Sequence, residues 1–241
     1  MKRLLFLLVL AGLALSCFPT ATPMETVSYE AVEPGETVFV FLPGRSSRPA
    51  EFAEAGFIDE LQRRVPEAQV IVADAHFGYY FHRNLVERLN EDIIGPARAR
   101  GARNVWLVGI SMGGLGALFY AREHADQVTG VVALAPFLGD EDVIEEIAAA
   151  GGPAGWEPPP NLDPSDYQRD IWKWLKGYTQ ADKDMPVLYV GYGTEDRFAK
   201  AVKMLGEALP EGRTFTTSGG HDWPPWRALW VKFLDSGAVA R

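Results

Sequence analysis

Cysteine is almost missing from this chain: its 241 residues include one, Cys17. No internal disulfide can form, so the fold has to rest on its core. Histidine is nearly as scarce. The four histidines are scattered, with neither H-E-x-x-H nor paired-cysteine spacing, and we expect no bound metal. Clustered bases are lacking too. At a net charge of −9 the chain has no concentration of Lys and Arg to meet a phosphate backbone, which excludes nucleic acid as the partner. No internal repeat and no long block of like charge stands out. No apolar run reaches the ~20 residues that a membrane-spanning helix needs.

What is present is ordinary for a globular protein, with 47% hydrophobic and 23% charged residues. The length suits one large domain and would cramp two. Residues 1–17 read as a signal segment outside the fold. Lys2 and Arg3 form a positive start, Leu4 to Leu15 an apolar stretch, and Cys17 stands just beyond it. This resembles a bacterial lipoprotein signal, in which the cysteine becomes the acylated first residue and anchors the chain to a membrane. Ala14-Leu15-Ser16 also satisfies the small-x-small rule of an ordinary signal peptidase, so a soluble periplasmic form stays open. Cleavage before Cys17 removes Lys2 and Arg3, and the net charge falls by two, from −9 to −11. Residues 18–35, rich in Pro, Thr and Glu, read as a tether.

From residue 36 onward, buried strands alternate with helices. Thr37–Leu42, Gln69–Ala73, Asn104–Gly109, Val128–Leu134 and Pro186–Gly191 are short β-branched runs, with a further short strand near Thr214–Thr216. Helices fall near Phe57–Val65, over Leu85–Ile94 and after most later strands. Such alternation means βαβ units and a mostly parallel sheet flanked by helices, an α/β fold. Between Pro136 and Asp184 the pattern breaks. Three of the seven tryptophans lie there, and we read 137–184 as a cap-like insertion over a site.

The chain is organised around Gly109-Ile110-Ser111-Met112-Gly113, set between the Asn104 strand and a helix of small residues. That spacing and that context define a nucleophile elbow, a turn too sharp for side chains on either flank of the serine. A phosphate loop is excluded because Leu115, not lysine, follows Gly114, and the dinucleotide pattern G-x-G-x-x-G is absent from the turn. Ser111 is the expected nucleophile.

A serine hydroxyl needs a base, and the base needs an anion to fix its tautomer. Elbow enzymes present these in the order nucleophile, acid, base. Two histidines follow Ser111. His124 sits near the end of the elbow helix, which runs away from the serine, so His221, in a Gly-Gly loop after the last strand, is the base. Asp196, leaving a strand end 25 positions earlier, is the acid. Glu195 rivals it, Asp182 and Asp184 are weaker choices, and Asp222 adjoins the histidine too closely to turn back. His76 and His82, which precede the serine, read as hydrogen-bonded loop residues. The aromatics around them, from Phe77 to Phe81, either line a pocket or pack under the next helix. The oxyanion donors are the N–H of Met112 and that of Gly44 or Arg45, since Pro43 has none.

Gly-Ile-Ser-Met-Gly-Gly-Leu-Gly-Ala-Leu, the Glu195-Asp196-Arg197 turn and Gly-Gly-His-Asp-Trp-Pro-Pro-Trp together resemble the α/β-hydrolase superfamily. They are similar in particular to esterase D-like serine esterases and mycolyltransferase-like acyltransferases, over roughly residues 36–236. The resemblance implies an α/β-hydrolase fold, no cofactor, and cleavage of a small-molecule ester through an acyl-enzyme. Leu42-Pro43-Gly44-Arg45 departs from the usual His-Gly oxyanion loop. Acyl transfer or thioester cleavage could use the same machinery. A non-catalytic binding protein on this scaffold is the reading of another class.

Overall fold

The strands are β1 (Thr26–Tyr29), β2 (Thr37–Leu42), β3 (Ala68–Ala73), β4 (Asn104–Ile110), β5 (Gly130–Leu134), β6 (Val187–Gly193) and β7 (Thr214–Thr217). They hydrogen-bond into one sheet in the order β1-β3-β2-β4-β5-β6-β7. β1 runs antiparallel to β3, and the other pairs are parallel. The computed structural model describes residues 18–180 and 185–240, so the signal segment with Cys17, and Asp182 and Asp184, lie outside the described residues.

Central strands are buried on both faces because their side chains are apolar at successive positions. Val38 to Leu42 and Val105 to Ile110 are all buried. The helices divide by connection. The β2–β3 crossover steps one way across the sheet, and the crossovers into β4, β5, β6 and β7 step the other way. Uniform right-handedness therefore puts α1 (Phe57–Arg64) on one face. The helical run over residues 85–99, α2 (Met112–Glu123), α3 (Glu141–Ala149), α4 (Tyr167–Leu175) and α5 (Ala199–Gly206) take the opposite face. The last helix, α6 (Trp223–Asp235), returns to pack beside α1.

The α1–α6 pairing matters for the site because α6 begins two residues after His221. Trp230 stacks on Phe57 at 5.9 Å, and its Nε1–H donates to the Phe57 carbonyl at 3.0 Å. Buried Glu60 accepts from Arg227 at 2.6 Å. Glu60 also meets Arg63 and Arg64, so its charge is compensated where it sits.

Two expectations about chain organisation are corrected. Residues 18–35 are not a tether throughout. β1 pairs with β3 from Thr26 against Ala73 to Tyr29 against Val70, and Met24 is buried with its N–H on Asp92 Oδ2 at 2.8 Å. The edge of β3 otherwise offers a row of open N–H and C=O groups, and this strand satisfies them. Stretch 137–184 contributes to the core more than to a cover. It forms the β5–β6 crossover, and Trp156, Ile171, Trp172 and Leu175 are buried in the core on the α2 side. Trp172 Nε1–H donates to the Leu138 carbonyl at 2.7 Å. Large apolar side chains gain most where they leave water fully, and the open face beside α2 and α5 supplies that burial.

Candidate active site

The order of strands makes the crevice. β2 is followed in sequence by β3 on one side and lies against β4 on the other, so the direction of winding reverses between β2 and β4. Their carboxyl ends diverge into a space open to ligands. Gly44 leaves β2 there, and Ser111 leaves β4.

Ser111 has φ 55° and ψ −117°, a conformation that L-residues rarely adopt. The glycines on either side explain how the turn closes. A Cβ on Gly109 would fall 2.2 Å from the Gly113 carbonyl oxygen, and one on Gly113 would fall 2.1 Å from that of Leu42. The Ser111 N–H donates to Leu134 O and its carbonyl accepts from Phe137 N–H, both at 3.0 Å. The strained residue is thus held by two backbone bonds to the neighbouring strand and its exit loop.

Three side chains from distant parts of the chain then meet. His221 Nε2 lies 2.9 Å from Ser111 Oγ, and His221 Nδ1 lies 2.8 Å from Asp196 Oδ2. A carboxylate accepts and cannot donate, so Nδ1 carries the ring proton and Nε2 is left to accept from the serine hydroxyl. The Asp196 side chain is fully buried, and its other oxygen, Oδ1, accepts from Phe198 N–H at 2.8 Å. Phe198 and Trp226 stand edge-on to the imidazole at 5.0 and 4.9 Å. Phe137, at the start of the β5–β6 crossover, packs on Phe198. These rings cover one flank of the imidazole.

Glu195, the rival acid, turns away from the imidazole. It is exposed, accepts from the Thr194 hydroxyl at 2.7 Å and from the Gly219 N–H, and so braces the loop that carries His221. The Thr194 hydroxyl, then the Gly219 N–H, hold its carboxyl below the usual glutamate range. The two loops are also laced through the backbone, from Thr194 N–H to Thr217 O at 2.8 Å and from Glu195 N–H to Gly219 O at 3.1 Å. That approach is close enough for a Cβ on Gly193 to fall 2.1 Å from the Gly219 oxygen.

Of the residues considered for the oxyanion, Met112 is the first of α2, so its N–H has no partner within the helix. Gly44 is buried against the serine: a Cβ there would lie 3.6 Å from Ser111 Cβ. Arg45 is exposed, with its guanidinium 4.6 Å from the centre of the Phe77 ring. His124 caps the far end of α2 and packs on Tyr120. His76 Nδ1 accepts from Gly78 N–H at 3.1 Å, and His82 Nε2 lies 3.0 Å from Phe18 O. Among the described residues, no group of His, Cys, Asp and Glu is arranged to hold a metal ion. Sequence reasoning missed the Phe198 N–H bond and the Glu195 brace. The glycine pair before His221 was the available signal that another loop comes close.

The family described as "Putative esterase" matches residues 2–234. Among curated proteins no sequence matches. Solved structures resemble the chain in fold. S-formylglutathione hydrolase from Staphylococcus aureus superposes with a TM-score of 0.60 at 16% identity, covering 85% of this chain and 82% of that one. Est1E from Butyrivibrio proteoclasticus gives 0.55 at 18%, covering 90% and 94%. The Staphylococcus aureus fluorophosphonate-binding serine hydrolase F gives 0.56 at 14%, covering 88% and 98%.

Proposed function

We propose, from the premise that the chain belongs to this esterase family and is a serine esterase of the α/β-hydrolase fold, that it cleaves a carboxylic ester through an acyl-enzyme on Ser111. Ser111 Oγ attacks the ester carbonyl as its proton passes to His221 Nε2. The tetrahedral intermediate collapses, the C–O bond to the alcohol breaks, and the imidazolium returns the proton to the leaving oxygen. Water, deprotonated by the same nitrogen, then adds to the acyl carbonyl, the bond to Ser111 Oγ breaks to release the acid, and the imidazolium returns its proton to Oγ. Asp196 fixes the tautomer of His221 and faces the positive charge as it develops. The N–H groups of Met112 and Gly44 receive the oxyanion, and the positive end of the α2 dipole favours charge there. The Arg45 N–H, one residue further on, is the alternative β2-side donor.

The unbroken line from Ser111 Oγ through His221 to Asp196, at 2.9 and 2.8 Å, carries this reading. A retired site has no chemical reason to keep all three groups in register. The test is labelling by a fluorophosphonate probe together with steady-state kinetics. Wild type should label at Ser111, and Ser111→Ala should lose the label and about 10⁴–10⁶ in kcat with its fold intact. A variant retaining a tenth of wild-type turnover would overturn the assignment.

We also propose that the chain is exported and held at a bacterial membrane through an acylated Cys17. Lys2-Arg3, the Leu4–Leu15 run and the position of Cys17 support this.

A further inference from the structure

Three segments meet beside the crevice and form an aromatic face. Phe18, 41% exposed, lies 5.1 Å from Phe77 and 5.8 Å from Phe81, which is itself 52% exposed. The short helix Phe77–Phe81 that carries two of these rings is rooted in the elbow, because Tyr80 Oη donates to the Met112 carbonyl at 3.0 Å. Arg45, directly after the Gly44 that packs on Ser111, stacks over Phe77. The aromatic face is therefore continuous with the mouth of the site.

Residues 18–24, 43–50 and 75–86 contain no Asp or Glu, in a chain of net charge −9. Arg45 and Arg83 are exposed there, Arg83 also acting on Asp163, while Arg48 is engaged by Glu51. Aromatic rings beside the Arg45 guanidinium suit the boundary between anionic headgroups and acyl chains. The start of the described chain points the same way. Phe18 is held by its carbonyl to His82 Nε2 at 3.0 Å, and Ala21 makes two bonds with Tyr79 Oη, each 3.1 Å. Phe18 follows Cys17 directly, so attachment through Cys17 reaches the body of the protein at this face, with no slack between.

We propose that this face rests on an anionic lipid leaflet and that the esters reaching Ser111 are amphiphiles drawn from it. The proposal rests on the ester-hydrolase reading above and narrows its substrate class. The test uses the full chain with two nitrophenyl esters, one short and water-soluble, the other long-chain and dispersed in phosphatidylglycerol–phosphatidylethanolamine vesicles. Phe81→Asp and the milder Phe18→Ser should each lower the vesicle-borne rate about tenfold, the worth of seating one such side chain in lipid. Both should leave the soluble-ester rate within twofold. Val32→Asp, at an exposed valine near the opposite end of the strands, should change neither rate. Equal rates for wild type and both variants on vesicles would overturn the proposal. A parallel fall on both esters with a changed oligomeric state would overturn it by assigning the face to a second copy of the chain. A wild type inactive on both esters would instead fail the esterase reading itself.

Discussion

Asp196→Asn tests the site most sharply, because the structure dictates which way the new amide must turn. In the wild type, Oδ1 accepts from Phe198 N–H and Oδ2 accepts from His221 Nδ1–H, each at 2.8 Å. Asparagine has one oxygen to serve both. If that oxygen stays with Phe198, the amide NH₂ faces Nδ1, the ring must accept there, and its proton moves to Nε2. The base then presents a hydrogen to Ser111 and cannot take another. Turning the amide over restores the tautomer but leaves the Phe198 N–H, which faces the buried side chain at 196, opposite a donor, at a cost of about 1–3 kcal/mol. A further loss of similar size comes from removing the anion opposite the developing imidazolium in a site with no solvent at Asp196. Together these approach the roughly 5 kcal/mol that corresponds to 10⁴ in kcat. The assay is the initial rate on one soluble ester at neutral pH for Asp196→Asn and Glu195→Gln side by side. Glu195→Gln keeps an oxygen for Gly219 N–H and an amide that the Thr194 hydroxyl can accept, so it should stay within a few-fold of wild type. An Asp196→Asn variant within tenfold of wild type, or a larger loss in Glu195→Gln, would refute the reasoning.

Three further outcomes are expected. Gly113→Ala should destabilise the fold by about 3 kcal/mol or more in urea titration, since the added methyl meets the Leu42 backbone carbonyl rather than a side chain that could move. The depressed carboxyl of Glu195 makes its brace on the His221 loop a contribution present above the ordinary glutamate range and lost as pH falls through the lower folded value. Protection of the Gly219 amide, taken relative to its intrinsic exchange rate at each pH, should accordingly fall in wild type only on strong acidification, and already at neutral pH in Glu195→Ala. Cys17→Ser should release the chain from the membrane fraction or block its processing, and unmodified wild type in the soluble periplasm would count against the lipid anchor.

Much of the site was legible in the sequence because its chemistry is enforced locally. An elbow needs glycine two residues to either side of the serine whatever surrounds it, and buried parallel strands announce themselves as β-branched runs. Ser111, Asp196 and His221 follow from that spacing and from the order of strand ends. Their meeting at hydrogen-bond distance, by contrast, is a product of the sheet. Other features depend on partners far away in the chain and leave no periodic trace. The helix expected over Leu85–Ile94 runs on to Ala99, because a π turn over Leu89–Ile94 carries Gly95 N–H back to Asn90 O and the next turn takes in Pro96. Thr26 to Tyr29 become a strand because β3 has an open edge, which composition does not reveal. Trp156 and Trp172 go to the core because the crossover must cover a sheet face. Between Glu195 and Asp196, adjacent and chemically alike, sequence supplied a preference only. In the fold Phe198 N–H stands behind Asp196 and Gly219 N–H beside Glu195, which turns the first carboxylate towards His221 and the second away, since a side chain's direction in a turn is set by what it packs against.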